Sequence, residues 1–424
     1  MTVLLSGPAC RFSLLTWLFL HLIAIGAPSA GEWKGKRVVK DGIVHVMNPA
    51  EPMEPPAIYD LKELWRLESE TEDGELVFGL IDSVVEDDLG NIYALDSQLN
   101  TVHVISPDGE YLRSIGRGGE GPGEFRRPSQ LFLSDSGLVG VADMGKDCIT
   151  LLTQAGDPAG EWRPNSEDYY RLSITEAHPI PAGYVASVDG IKHTDQSIIN
   201  TSFAAIYDHT GRRLTDGIGV TNTRARGVPW VFDEEKIYAF RLLGATENGR
   251  AIASTSYIDY SFWIFSADGS SDMVVERRHD PIRRDEAKQS EETSYWEGCY
   301  RDLDRERIVV SEFERTLWRV LPRDDDTFWV VSINSWTDLP VGAAETLDEF
   351  NDEGQFVRRI ILRKKISPDD DLVYHLHNRI LVFAGGSSSV MAAVGAVADD
   401  ADDGDPSERL LLPAAICCEL ARVN

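Results

Sequence analysis

The residues closest to a known chemical motif lie between Ile115 and Pro128, in the run IGRGGEGPGEFRRP. Within it, Gly116 to Gly121 satisfies the pattern G-x-G-x-x-G, with which nucleotide-binding proteins hold a pyrophosphate at the start of a helix. A proline and a glycine follow at once and prevent that helix, so the sequence argues against nucleotide binding. We expect the glycines to supply positive φ in a tight connection between two β units, with Phe125 as its apolar anchor.

Two sets of side chains have the composition of a metal site. Asp96, Asp143 and Asp189 each end a strand-like run, and a ring of such carboxylates suits a hard cation such as Ca²⁺. Their recurrence favours the simpler interpretation that each accepts main-chain N–H bonds in its own turn. His375 and His377 lie on one side of a strand and could begin a Zn²⁺ site. Spacing identifies no third ligand, and ordinary packing histidines are the simpler interpretation.

Other catalytic signatures are absent from the sequence. It contains no G-x-S-x-G, no H-E-x-x-H and no P-loop, so it gives no support for a standard hydrolase or metalloprotease. Cys148 is expected to be a small buried residue. The vicinal pair Cys417 and Cys418 could meet Cys299, and no cysteine spacing resembles a zinc knuckle. An enzyme is therefore less expected than a binding protein.

An internal repeat indicates the elements that position these residues. The segment from Val84 to Asp96 aligns with the segment from Leu131 to Asp143, and the alignment continues at the same offset through Gly109 and Gly156. Each copy contains four strand-like runs separated by Asp/Gly turns. Units of about 40 to 50 residues with four antiparallel strands are the blades of β-propellers.

Degraded copies of the second strand continue along the chain, and the predicted fold is an all-β six-bladed propeller of four-stranded antiparallel blades. These copies lie at Gly183–Asp189, Gly249–Ser254, Asp326–Ser332 and Arg379–Phe383, the last followed by a third-strand copy at Ser389–Val394. The sixth copy lacks an outer hairpin. Ile43–Met47 reads as a third strand and Leu61–Leu67 as a fourth. Their pairing with the C-terminal blade would close the ring and remove its exposed sheet edges.

The run GNIYALD at Gly90–Asp96, the turn at Ser106–Gly109 and the loop IGRGGEGPGEF together resemble the bacterial six-bladed β-propeller family related to NHL repeats. The resemblance is strong over about residues 60 to 160 and weaker to about 395. It implies a secreted or periplasmic propeller. It implies no single activity, because the wider group includes binding scaffolds, lyases and lactone hydrolases.

Residues 1–30 are predicted to be a signal peptide, because Phe12–Ile25 is apolar and Ala27–Ala30 supplies small residues for cleavage. Residues 31–424 are then expected to form one propeller domain, exported to the periplasm or secreted, with a rim insertion near 277–292 and an acidic loop at 398–406. The formal charge of −29 argues against nucleic acid and anionic lipid as partners. We expect a monomer with no membrane span after signal cleavage.

The predicted function is a ligand-binding or protein-interaction module that works through the loops around the central channel. Charged residues of the connecting loop and two tryptophans beside other loops are the candidate contacts: Arg117, Glu120, Glu124, Arg126, Arg127, Trp230 and Trp296. The alternative is a metal-dependent enzyme of the lyase or lactone hydrolase type, which needs at least three ligands converging on a divalent cation in the channel. A third possibility is that the propeller only displays the insertion to a partner.

Overall fold

The structure of the chain is a computed structural model. It describes residues 31–68, 78–165, 169–239, 241–246, 248–269, 272–300, 303–323, 327–337, 339–363, 372–376, 378–383 and 414–423. The predicted signal peptide, the acidic loop, the third-strand copy at 389–394 and His377 lie outside the described residues. None of the helices in the described ranges has the length and apolarity needed to cross a bilayer.

Strands in sets of four make up most of the described chain. Three strands precede the first set: β1 (Lys36–Lys40), β2 (Ile43–Asn48) and β3 (Ala57–Glu68). The first blade contains β4 (Ile81–Glu86), β5 (Ile92–Asp96), β6 (Thr101–Ile105) and β7 (Tyr111–Ile115). The second contains β8 (Pro128–Leu133), β9 (Leu138–Asp143), β10 (Cys148–Thr153) and β11 (Pro158–Trp162). The third contains β12 (Arg171–Ile180), β13 (Gly183–His193), β14 (Ser197–Asp208) and β15 (Ile218–Ala225).

The later blades are separated by longer connections that carry short strands and helices. After β16 (Phe232–Asp233) and α1 (Glu234–Tyr238), the fourth blade contains β17 (Leu242–Ala245), β18 (Ala251–Ser254), β19 (Ser261–Phe265) and β20 (Met273–Arg277). After α2 (Glu286–Cys299), a 3₁₀ turn (Arg305–Arg307) and β21 (Ile308–Val309), the fifth contains β22 (Leu317–Pro322), β23 (Phe328–Ser332), α3 (Asn334–Thr337), β24 (Glu345–Phe350) and β25 (Phe356–Arg363). The sixth contains β26 (Leu372–His375), β27 (Arg379–Phe383) and β28 (Ala414–Arg422).

Within each blade the strands pair antiparallel with their chain neighbours, and the inner strands of successive blades contact one another, for example β4 with β8 and β17 with β22. The predicted second strands are all found in place, so the propeller fold and its four-stranded blades are confirmed.

The apolar residues of each blade pack against the next blade. Between the fourth and fifth blades, the ring of Phe262 meets those of Phe328 and Phe350 edge-on, with centroids 5.8 Å and 5.7 Å apart. A single blade cannot cover both its faces, so this packing requires the neighbours.

The ring closes through β3. Leu61 pairs with Leu420 and Leu67 with Ala415, which places β3 at the outer edge of the sixth blade. The first four residues of β3 also pair in parallel with the outer strand of the fifth blade. The prediction that Leu61–Leu67 completes the last blade is confirmed.

The predicted position of Ile43–Met47 is wrong. Its strand β2 pairs in parallel with β20, so it extends the fourth blade, and β28 supplies the third strand of the sixth. The Asn48 side chain fixes this position, because its Nδ2 donates to Gly354 O at 2.9 Å and its Oδ1 accepts from Phe356 N at 2.8 Å. A six-residue strand with no buried charge can pair equally well at the edge of the fourth blade or at the edge of the sixth. Its sequence alone therefore does not select between these two edges.

Cys299 does not meet the vicinal cysteines, a contact that the sequence had left open. Cys417 and Cys418 are buried in β28 of the sixth blade, whereas Cys299 ends α2 between the fourth and fifth blades. Cys148 is buried and free, as predicted. Burial raises the pKa of the Cys417 thiol to about 11, so it stays protonated at neutral pH.

Candidate functional site

The inner strands of all six blades line a channel at the centre of the propeller. Its cavity volume is about 760 Å³, and its wall includes residues from β4, β8, β12, β17, β22 and β26. Pockets that bind small molecules have volumes of about 300–1,000 Å³. The channel is therefore large enough for a small ligand and is reached by side chains from every blade.

A β-bulge recurs in the inner strands of the first five blades. In each strand the pairing register with the second strand skips one residue, and the skipped residues are Asp82, Ser129, Thr175, Leu243 and Trp318. Bulges re-aim side chains, and they are frequent next to functional sites. Of these five residues, Asp82, Ser129, Thr175 and Trp318 line the channel. The bulges thus turn side chains of the first, second, third and fifth blades toward the channel.

Three arginines form a cationic wall on the side of the fourth and fifth blades: Arg241, Arg315 and Arg319 all line the channel. No carboxylate of the described residues lies within ion-pair distance of any of the three. The Nε atom of Arg241 is inaccessible to water and has no hydrogen-bond acceptor in the described part of the protein. Burial first, and repulsion by Arg241 second, lower the pKa of Arg315 to about 10.

Aromatic rings hold two of these guanidinium groups. Arg241 lies over the Tyr238 ring at 4.3 Å from its centroid, and Arg315 lies over the Trp318 ring at 5.2 Å. Cations bind the faces of aromatic rings because the ring quadrupole is negative there. Trp318 is itself 45% exposed, so an apolar surface faces the channel beside the arginines.

Acidic and histidine side chains occupy other parts of the channel wall. Asp82 is exposed to the channel but lies deep within the molecule; burial, opposed by a hydrogen bond from Ser97, raises the pKa of its carboxyl to about 6. His178 pairs with Glu176 at 3.0 Å, and both line the channel on the third blade. On the sixth blade, His375 Nε2 lies 2.9 Å from Glu345 Oε2. The channel therefore has walls of opposite charge.

A cap formed by two long connections between blades supports the cationic wall. The cap comprises residues 226–239, 278–300 and 303–316, and its two connections are joined by the parallel pairing of β16 with β21. Arg284 of the second connection binds the buried carboxylate of Glu234 in the first at 2.8 Å and 3.1 Å. The Tyr257 hydroxyl donates to the same carboxylate at 2.6 Å. Because Glu234 begins α1 and Tyr238 ends it, this buried network fixes the ring on which Arg241 rests.

The two predicted contact tryptophans lie in the cap. Trp230 packs edge-on against Tyr300 at 5.2 Å, and Trp296 packs against Phe232 at 4.6 Å. Trp296 also lies 5.5 Å from the Tyr238 ring. Neither tryptophan is among the channel-lining residues, so both contribute to the apolar core of the cap. A direct contact of either with a ligand stays a prediction.

The charged residues of the 115–128 loop pair with one another on the rim. Arg117 binds Glu124 at 2.7 Å, and Arg126 binds Glu120 at 2.9 Å. Arg127 is exposed, and the channel-lining residues include none from this loop. The role of this loop in binding a ligand or partner stays a prediction.

The loop glycines have the expected conformation. Gly116 has a φ of 73°, and a Cβ there would lie 2.2 Å from the Phe125 ring, which is fully buried. Only glycine combines this positive φ with so close an approach. The run is thus a tight connection between the first two blades, with Phe125 as its anchor.

The recurring aspartates Asp96 and Asp143 accept main-chain N–H groups. Asp96 accepts from Gly79 N at 2.6 Å and Leu99 N at 2.8 Å, and Asp143 accepts from the N–H groups of Arg126 and Arg127 at 2.8 Å and 3.0 Å. This is the simpler of the two interpretations that the sequence allowed.

The remaining metal candidates are dispersed. Asp189 is exposed on the third blade, and His375 pairs with Glu345 on the sixth. In the described ranges, no three His, Cys, Asp or Glu residues are grouped closely enough to hold a metal ion.

Sequence reasoning missed the residues that form the channel wall: Asp82, Arg241, Arg315, Trp318 and Arg319. In β22 the consecutive residues Trp318 and Arg319 are both exposed between the buried Leu317 and Val320. Strict alternation would place only one of them on the channel side. The bulge at Trp318 accounts for this exposure, and the sequence of β22 carries no separate signal for it.

One family model matches part of the chain, and several solved structures resemble it weakly. The family model DUF5128, described as a 6-bladed beta-propeller, matches residues 61–150. No curated protein sequence matches the chain. Among solved structures, a provisionally described exported protein from Bacteroides fragilis is 11% identical, with a TM-score of 0.45 over 87% of this chain and 100% of that one.

Two further solved structures have the same low similarity. A member of the duf4221 family from Bacteroides vulgatus is 8% identical, with a TM-score of 0.43 over 86% of this chain and 99% of that one. Virginiamycin B lyase from Staphylococcus aureus is 14% identical, with a TM-score of 0.35 over 76% of this chain and 85% of that one. The blades and the matching family model together identify the chain as a six-bladed β-propeller.

Proposed function

We propose that this protein is an exported binding protein that holds a small ligand in its central channel. The observation that carries the proposal is the bulge shared by five inner strands, which directs Asp82, Ser129, Thr175 and Trp318 toward the channel. Regular strands would pack without these interruptions, so five bulges at equivalent positions indicate a constructed site.

The wall of the channel has the composition of a ligand site. An exposed aromatic face at Trp318 supplies apolar contact, while Asp82 and Arg319 supply polar groups at nearby positions. Binding sites combine an apolar lining with a few oriented polar groups. Since these side chains are carried by strands, their positions are set before a ligand arrives, which reduces the entropy cost of binding.

Export to the periplasm or outside the cell forms part of the proposal. It is supported by the apolar run Phe12–Ile25 and the small residues at Ala27–Ala30. N-terminal sequencing of the protein recovered from a bacterial expression host tests it. A mature terminus near residue 31 in the periplasmic fraction is expected, and a full-length cytoplasmic product contradicts it.

The alternative function, an enzyme with a divalent cation in the channel, has a weaker basis. Asp82, Glu176 and His375 all line the channel, but they belong to three different blades and form no close group in the described chain. Thermal unfolding with Ca²⁺, Zn²⁺ and EDTA tests this alternative directly. A metal-dependent rise in Tm that EDTA reverses and Asp82→Asn abolishes would favour it.

A thermal-shift screen of small neutral and charged compounds tests the binding proposal. The variant Trp318→Ala removes the aromatic face of the channel, and Leu89→Ala is the control because Leu89 is 78% exposed and does not line the channel. We expect compounds that raise the Tm of the wild type and of Leu89→Ala by several degrees but have little effect on Trp318→Ala. Stabilisation that is equal in both variants would place binding elsewhere and contradict the proposal.

A further inference from the structure

We propose that the ligand of the channel carries an oxyanion, a carboxylate or a phosphate group, which Arg241, Arg315 and Arg319 bind. This inference rests on the proposed function, because it names the chemical class that the same channel would select. The inference is supported by the lack of internal carboxylate partners for these arginines, by the N–H donors of their guanidinium groups, and by the distribution of charge around the channel.

The first step is that these arginines lack the internal partners that other arginines of the chain have. The protein has 70 acidic residues against 41 lysines and arginines, so carboxylates are abundant. Arg171, for example, binds Asp147 at 2.9 Å, and Arg363 binds Asp60 at 2.8 Å. The channel arginines have no such carboxylate among the described residues. Partly buried cations without a counter-ion are costly, and an external anion would compensate them.

The second step is that the guanidinium groups keep N–H donors for a ligand. The guanidinium carbons of Arg241 and Arg315 lie over the rings of Tyr238 and Trp318, and the Nε–H of Arg241 has no acceptor among the described residues. Planar guanidinium groups bind carboxylate and phosphate oxygens through pairs of parallel N–H bonds. The two arginines also repel each other, and an oxyanion between them would replace that repulsion with attraction.

The third step is that the cationic groups are confined to one side of the channel. Arg241 lies in the connection before β17, Arg315 lies in the connection before β22, and Arg319 lies in β22 itself. The acidic residues are elsewhere: Asp82 belongs to the first blade and Glu176 to the third. A ligand with negative charge at both ends would be repelled by the acidic wall. The arrangement therefore favours a molecule with an oxyanion at one end and a hydrogen-bond donor at the other.

The test uses inorganic phosphate and 4-aminobutyrate as probes, each titrated into the mature protein at pH 7 and constant ionic strength; 4-aminobutyrate has a carboxylate at one end and an ammonium group at the other. Arg315→Gln and Arg319→Gln remove cationic groups from the channel, and Arg212→Gln is the matched control because Arg212 is exposed on the third blade and does not line the channel. Arg319 is exposed to the channel, so we expect Arg319→Gln to fold normally. It keeps the test usable if Arg315→Gln does not fold. Tm and calorimetric affinity are measured for every variant.

We expect at least one probe to bind the wild type and Arg212→Gln with the same affinity and to bind both channel variants at least tenfold more weakly. Preference for phosphate or for 4-aminobutyrate distinguishes the two sources of the oxyanion. Equal binding to all variants, or no binding of either probe, overturns the inference. If neutral compounds then still stabilise the protein in a Trp318-dependent manner, the proposed function stands and only the oxyanion assignment fails.

Discussion

Arg284 and Glu234 form a buried ion pair that joins the two connections of the cap, with Nη1–Oε2 and Nη2–Oε1 distances of 2.8 Å and 3.1 Å. Both side chains are about 95% buried, with exposures of 4% and 5%. The pair lies at the base of α1, the helix that presents Tyr238 to Arg241. The Arg284–Glu234 ion pair therefore fixes the cap and, through Tyr238, positions Arg241 of the cationic wall.

We expect Glu234→Ala to destabilise the protein by about 3–5 kcal/mol, because it leaves the Arg284 guanidinium buried without its main counter-ion. The matched control is Glu312→Ala, which breaks the ion pair with Arg283 at 2.7 Å; both partners there are more than half exposed. Such a surface pair contributes about 0–1 kcal/mol. Urea unfolding of the two variants measures both values, and a similar loss in each would show that the cap pair has no special role.

The closing strand β3 offers a comparison between two leucines three residues apart. Leu61 is 5% exposed and packs between the fifth and sixth blades, whereas Leu64 is 44% exposed. We expect Leu61→Ala to reduce the free energy of unfolding by about 2–5 kcal/mol, because it leaves a cavity at the closure of the ring. Leu64→Ala is expected to change it by about 0.5 kcal/mol or less. Equal effects in chemical denaturation would contradict the assignment of β3 as the closing strand.

Asp82 predicts a dependence of stability on pH. Its pKa in the folded protein, about 6, lies above the unfolded value of 3.8, so the native state binds more protons than the unfolded state between these values. The contribution of Asp82 is therefore most favourable below about pH 4 and is lost as the pH rises to about 6. We expect Asp82→Asn to be more stable than the wild type at pH 7 and to gain less on acidification to pH 5. The increase in stability of Asp82→Asn at pH 7 is expected to be modest, because the carboxyl group of Asp82 faces the channel water.

Thermal unfolding of the wild type and Asp82→Asn at pH 5 and pH 7 measures this effect. If the difference in stability between the two proteins is the same at both pH values, Asp82 does not titrate in this range.

The unpaired state of Arg315 predicts that the ligand-free protein gains stability when the charge is removed. We expect Arg315→Met to raise the free energy of unfolding by about 0.5–2 kcal/mol, because residues kept for binding are often costly to the free fold. The control Arg171→Met removes an arginine that is paired with Asp147, so no gain is expected. Denaturant unfolding in buffers free of phosphate and carboxylate gives both values. A loss of stability in Arg315→Met would show that the protein itself compensates this charge.

The blades were predictable from sequence because their signals are local. The Asp/Gly turns and the alternating second strands recur in each copy, and Asp96 and Asp143 have the main-chain contacts that their position suggests. The strand at 43–47 was assigned to the wrong blade because its position depends on Asn48 bonds to residues more than 300 positions away in the sequence. Contacts of such separation leave no local pattern.

The channel wall was not predictable for a related reason. Whether Asp82 or Trp318 faces the channel depends on a bulge, which is a property of two paired strands and not of either alone. The charged loop at 115–128 had the more conspicuous composition, yet its charges pair with one another. Arg241 and Arg315 lie in connections without a recognisable motif, and only the ring brings them together.

The most direct measurement of the central claim is an anomalous diffraction experiment on crystals soaked in selenate, an oxyanion that selenium makes visible. The claim predicts an anomalous peak in the channel, with selenium about 4 Å from guanidinium nitrogens of Arg241 or Arg315, because the selenate oxygens accept N–H bonds of about 3 Å. The peak should disappear in crystals of Arg315→Gln grown and soaked in the same way. A channel without a peak, with selenate bound only at rim arginines such as Arg127, would contradict the claim.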